Sequence, residues 1–169
     1  MNSRDFNRGV AVAVAIAIVV ASCAGGLTAW LMLRDREPDQ VEISAYTRGQ
    51  LTRVGPFLYC NVLNLNDCQT PQAQGQLEVS ERDPVQLSVP ESIGTAPWRL
   101  MQVYEKPEDT TITAFRPNSR LAVTIPTVDP HRGRMTGFTV QLLTLVVDQN
   151  GELHEAPHAE WSVRTDWAS

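Results

Sequence analysis

The chain has 169 residues, 14 Lys+Arg against 19 Asp+Glu, 43% hydrophobic residues and a mean hydropathy of -0.18. That is one domain's length, and a net charge of -5 offers no basic field to a polyphosphate, which argues against a nucleic-acid partner. The average conceals two objects: residues 9–33 are 25 residues without a charge, whereas residues 34–169 carry 12 basic and 18 acidic side chains.

As a helix, 25 residues rise about 37 Å, enough to cross a hydrocarbon core of about 30 Å with some tilt. Residues 1–33 therefore read as a signal anchor, with Arg4 and Arg8 before the apolar run and Trp30 near its outer end. A second reading is a cleaved lipoprotein signal ending at Ser22: Val20-Ala21-Ser22-Cys23 fits a permissive lipobox, which would place a lipid on Cys23. The apolar run continues through residues 27–33, where a mature lipoprotein turns polar, so the anchor is the preferred reading. A buried helix of a soluble protein would show a polar face, and this segment has none.

Residues 34–40 (RDREPDQ) form a charged linker, and residues 41–169 form the body. Lys/Arg counts on the two sides of the run nearly tie, so the cysteines decide orientation. Cys60 and Cys68, eight residues apart, are the only cysteines of the body, and no other soft ligand lies nearby. In an exported domain such a pair closes a small disulfide loop, for a chain-entropy gain of roughly 2–3 kcal/mol. The expected location is a single-pass plasma-membrane protein with an extracytoplasmic body, or one lipid-anchored at Cys23. Thirteen Arg against the single Lys106 reflect a GC-rich genome and say little about mechanism.

Through the body, apolar residues recur with period two. Val41/Ile43/Ala45, Leu77/Val79, Val85/Leu87/Val89, Leu121/Val123/Ile125 and Ala159/Trp161/Val163 alternate with polar neighbours, as half-buried strands do. Strands are expected near 41–46, 51–63, 76–80, 84–89, 98–106, 111–115, 120–126, 136–148 and 159–166. Breakers separate them, among them Asp83-Pro84, Arg116-Pro117-Asn118, Asp129-Pro130-His131-Arg132-Gly133 and Asn150-Gly151, the last a strong hairpin signal. No stretch reads as a long amphipathic helix. The expected fold is mainly β: an immunoglobulin-like antiparallel β-sandwich preceded by one N-terminal transmembrane helix, with a small closed barrel as the alternative. Trp98 and Trp161 are expected in its core.

The strand at 136–148 is apolar on both faces. Phe138, Val140, Leu142 and Val146 mark one, Leu143, Leu145 and Val147 the other. Such a strand is either covered on both sides by its own domain or presents an apolar strip to a partner. Arg116, Arg120, Arg132 and Arg134, with His131, flank a strand and the loop after it; they read as a solvated rim or as a basic patch for an anionic headgroup or polymer.

Chemistry-bearing motifs are sparse. His154-Glu155-Ala156-Pro157-His158 spells the H-E-x-x-H of zinc proteases, which needs both imidazoles on one helix face. Pro157 opposes that helix, so a surface loop with two histidines is expected, a loop-type metal site with His131 being the alternative. There is no G-x-S-x-G elbow and no S-x-x-K arrangement. A glycine-rich phosphate loop is also missing, Arg53-Val54-Gly55-Pro56 reading as a turn, and Glu108/Asp109 sit in a polar turn. No catalytic, cofactor-binding or metal-ligating residue is assigned, and no cofactor is expected.

Longer strings carry a family resemblance. Val54-Gly55-Pro56-Phe57-Leu58-Tyr59-Cys60 with Cys68, Pro84-Val85-Gln86-Leu87-Ser88-Val89-Pro90, Ala96-Pro97-Trp98-Arg99-Leu100 and Leu121-Ala122-Val123-Thr124-Ile125-Pro126 are similar to an actinobacterial family catalogued as domain of unknown function 2771. Gln141-Leu142-Leu143-Thr144-Leu145 and Pro157-His158-Ala159-Glu160-Trp161-Ser162-Val163 resemble it too, so the likeness runs from about residue 41 to the end. It implies an exported or membrane-anchored envelope protein of mycobacteria and their relatives and brings no functional residues. The expected function is a non-catalytic interaction or accessory module, held at the plasma membrane and meeting another envelope or membrane protein. Its contact surface would be the Leu143/Leu145/Val147 face or the arginine loops. Alternatives are a lipid- or small-ligand-binding lipoprotein and a metal-dependent hydrolase using His131, His154 and His158.

Overall fold

The computed structural model describes residues 22, 25–26, 41–147 and 150–167. The expected transmembrane helix, the lipidation candidate Cys23 and the linker 34–40 lie outside the described residues, except that Ser22, Gly25 and Gly26 are helical. Among the described residues no helix is long and apolar enough to cross a membrane.

The described residues of the body form twelve strands: β1 (Ile43–Thr47), β2 (Gln50–Val54), β3 (Leu58–Asn61), β4 (Asn64–Gln69), β5 (Gly75–Val79), β6 (Val85–Ser88), β7 (Trp98–Tyr104), β8 (Thr111–Phe115), β9 (Ala122–Ile125), β10 (Val128–Asp129), β11 (Gly133–Val147) and β12 (Leu153–Trp167). A single helical turn, α1 (Glu91–Gly94), follows β6, and a 3-10 turn spans Pro107–Asp109. Thr47 pairs with Gln50 across a two-residue turn in which Arg48 and Gly49 both take positive φ, at 51° and 77°. Two positive φ angles match the right-handed twist of the flanking strands.

The expected strand 51–63 is divided at Gly55-Pro56, because Pro56 has no N–H to give a ladder. Gly55 donates to Gln72 Oε1 at 3.1 Å, and the chain passes there from one sheet to the other. One sheet has the order β2-β1-β6-β9. The other runs β4-β3-β12-β11-β7-β8, with β10 added to β11 and β5 to β12. Pairing is antiparallel except between β5 and β12, which run parallel from Val163↔Gly75 to Trp167↔Val79.

The two sheets share one core. Ile43 and Ala45 of β1, Val85 and Leu87 of β6 and Ile125 of β9 meet Trp98 and Leu100 of β7, Phe138 and Val140 of β11, and Trp161 and Val163 of β12. These are the period-two positions, since every second side chain of a strand faces one side. Trp98 stacks on its cross-strand partner Phe115 with centroids 4.1 Å apart. Trp161 donates its indole N–H to the Val41 carbonyl at 2.6 Å, which fixes where the chain enters the body.

Gly137 is set by close approach, for a Cβ there would lie 2.7 Å from the Val163 carbonyl oxygen. The obstructing atom is backbone and cannot turn aside. Gly137→Ala is therefore expected to lower the unfolding free energy by about 1–3 kcal/mol in urea titration; an unchanged midpoint would contradict this packing.

Candidate interaction surface: a two-stranded arm

β11 and β12 form eleven consecutive residue pairs, from Gly137↔Arg164 to Val147↔Leu153. β7 starts at Trp98, opposite Leu142, so the last five pairs extend past its end. On the other side β3 reaches β12 only at Ala159 and Glu160. The result is a two-stranded arm projecting about 17 Å. Its turn contains the Asn150-Gly151 signal, with Gly151 at φ 82°.

Side-chain alternation gives the arm an apolar face. Leu145 and Val147 are two residues apart on β11, and Leu153 stands directly opposite Val147, so the three share one side. They are 63%, 65% and 65% exposed, whereas Leu143 at the arm's base is only 5% exposed. The domain thus covers this face as far as Leu143 and leaves it exposed beyond. At the base an open concavity of about 340 Å³ is lined by Pro97, Leu143, Thr144, Leu145 and Glu155.

The His154–His158 segment lies inside β12, which corrects the expected surface loop. Leu142 pairs with Ala159 but Leu143 pairs with Pro157, leaving His158 as the extra residue of a β-bulge. The bulge is where a strand tolerates a residue lacking a ladder N–H, which is how Pro157 is accommodated. His154 is exposed and His158 is buried, its ring edge-on to Tyr59 with centroids 6.3 Å apart. Nδ1 of His158 has no hydrogen-bond partner, and burial lowers the pKa of this imidazole. His131 follows β10 in the turn before β11, whereas His154 stands opposite Val146 near the other end of that strand. The three histidines are thus not brought together. Among the described residues no group of three or more His, Cys, Asp or Glu is placed to hold a metal ion.

The four arginines also separate. Phe115 pairs with Trp98 and Trp98 with Leu142, so Arg116 and Arg120 lie at the end from which the arm projects. Arg132 and Arg134 lie at the start of β11. Arg132 pairs with Asp129 at 3.0 Å, while Arg134 binds Glu81 at 2.5 Å and covers the Trp167 ring at 4.8 Å. Amide hydrogen bonds from His131 and Arg132 hold the Asp129 carboxyl below its ordinary pKa. A single basic patch of all four does not form; each pair is a rim of its own end.

Two further features complete the surface. Cys60 and Cys68 stand directly opposite each other on β3 and β4 and are disulfide-bonded, with Cys60 buried. The hairpin they clamp exposes Val62 at 51% and Leu63 at 92%. Across the central strands Arg99, Gln141 and Glu160 stand in register. Arg99 Nε donates to Gln141 Oε1 at 2.7 Å, and Gln141 Nε2 donates to Glu160 Oε2 at 2.9 Å. Sequence reading missed this ladder, because three polar residues on separate strands reveal no pairing until the register is known.

Two packed, predominantly antiparallel sheets with a projecting arm define a mainly β domain. The chain belongs to the family described as "Protein of unknown function (DUF2771)", whose pattern matches residues 36–166. It is similar to uncharacterized protein Rv0875c of Mycobacterium tuberculosis (strain H37Rv) and to uncharacterized protein Mb0899c of Mycobacterium bovis. Each is 68% identical over 157 residues, covering 93% of this chain and 97% of the relative. No solved structure matches the chain.

Two measurements follow from this geometry. Replacing Cys60 and Cys68 together by serine is expected to cost about 2–3 kcal/mol in chemical denaturation, since the eight-residue separation then no longer restrains the unfolded chain; no loss would contradict a structural role. His158 favours its neutral form when folded, so the unfolded chain binds the extra proton as pH falls below about 6.5. Stability should be full above that value and decline through it, levelling off below the depressed folded pKa. His158→Phe should flatten that decline, and an unaltered pH profile would show that His158 is not its source.

Proposed function

We propose that this protein is a non-catalytic module tethered to the outer side of the plasma membrane, and that its working surface is the β11–β12 arm. The observation that carries the proposal is the exposed strip of Leu145, Val147 and Leu153, on an arm whose side chains beyond Leu143 are not among the shared core. Contiguous exposed apolar side chains on an otherwise soluble surface mark contact sites. Tethering is supported by the 25 uncharged residues at 9–33, and the outside location by the clamped Cys60–Cys68 hairpin, since such bonds persist in oxidising compartments. The immunoglobulin-like description belongs to the same proposal: two packed sheets of short strands support it, and the parallel β5–β12 pair is its local departure.

Cell fractionation tests the proposal. The full chain should stay in the membrane pellet after alkaline carbonate extraction, and protease added to intact spheroplasts should digest the body. A soluble cytoplasmic chain with free Cys60 and Cys68 thiols would overturn it. Stoichiometric zinc in the purified protein, lost on His154→Ala, would replace it with the hydrolase reading.

A further inference from the structure

We infer that the arm rests its apolar tip on the lipid surface of the membrane that tethers the chain; this rests on the tethered reading above and names the partner of the same surface. The hydrogen bond from Trp161 to the Val41 carbonyl places Val41 at the level of Trp161 in β12. β1 then runs away from the arm. Its last residue, Thr47, bonds the Asp83 carbonyl, and the neighbouring loop, through Ser80 and Thr127, reaches Met135 at the start of β11.

Two lengths can be compared from that entry point. From Trp161 back to Leu153, eight residues of which one is bulged, β12 extends about 25 Å toward the arm's tip. From Leu33, the end of the uncharged run, to Val41 the chain spans at most about 29 Å when fully extended. The two lengths agree to within a few ångströms, so a linker short of full extension leaves the bilayer face within the arm's reach.

The chemistry of this end fits a shallow apolar contact. Leu145, Val147 and Leu153 are exposed at the tip. β3 runs antiparallel to β12, so its hairpin turns Val62 and Leu63 toward the same end. Charges here are mixed, Arg116 and Arg120 against Asp67, Glu152 and Glu155, so the attraction is apolar rather than a response to anionic headgroups. Strands beside the arm stop short of its tip, and backbone groups without partners are costly in hydrocarbon. Side chains enter the interface while the backbone stays at the hydrated headgroup level.

The test uses the full chain in phosphatidylcholine liposomes whose acyl chains carry bromine, a contact quencher of tryptophan. Val147→Trp places a reporter at the tip, and Leu153→Trp repeats it in case one variant folds poorly. Arg82→Trp, near Ser80 and Asp83, is the control at the opposite end. The tip reporters should lose most of their added emission relative to unbrominated liposomes, and the control should keep its own. If tip and control emissions are equally unquenched in chains that resist alkaline extraction, the arm does not touch lipid and its occupant is a protein or solvent. If the chains wash off the liposomes, the tethered reading fails first and the inference falls with it.

Discussion

The antiparallel ladder between β11 and β12 is the interaction on which the rest of the structure depends. It supplies the centre of the larger sheet, carries Phe138, Val140, Trp161 and Val163 into the core, and continues past the neighbouring strands as the arm. Every other strand of the large sheet is attached to one of these two or to a strand that is. A hairpin standing alone is marginal in water, and this one gains its rigidity from the half that is buried. The same two strands therefore supply stability at one end and accessible surface at the other.

The bulge at His158 marks the change between these two roles. On its inner side β12 is flanked by β3 and β5; on its outer side lie the five arm pairs. A bulge bends and twists a strand locally, and here it also absorbs Pro157 and buries an imidazole that would otherwise face water. Three constraints converge at one residue pair, Leu143↔Pro157, which is also where burial gives way to exposure.

Much of the fold was legible from period-two alternation, because a half-buried strand must alternate to bury one face. The strands at β1, β5, β6, β8, β9 and the inner half of β11 fall where the pattern places them, and the Asn150-Gly151 hairpin forms at its signal. β4 (Asn64–Gln69) was not legible: its sequence, Asn-Leu-Asn-Asp-Cys-Gln, has no apolar alternation, and it is held by its pairing with β3 and by the disulfide. The outer half of β12 is not legible because Pro157 is a valid breaker signal locally, and only the register shows the bulge that accommodates it. For the surface, the two-sided apolarity of β11 is visible in the sequence, but that coverage stops at Leu143 is not. The arginines are near one another in sequence, but β9 and β10 run between the two pairs and carry them to opposite ends of the body.

The ladder is continuous from core to tip, and its outer half has no neighbouring strand to hold it. Hydrogen–deuterium exchange on the full chain tests that most directly. Amides in 138–142 and 159–163 should exchange slowest. Those in 144–147 and 153–156 should be protected well above unstructured rates yet exchange faster than the core. Exchange of the arm at the rate of an unstructured chain, or as slowly as the core, would contradict it.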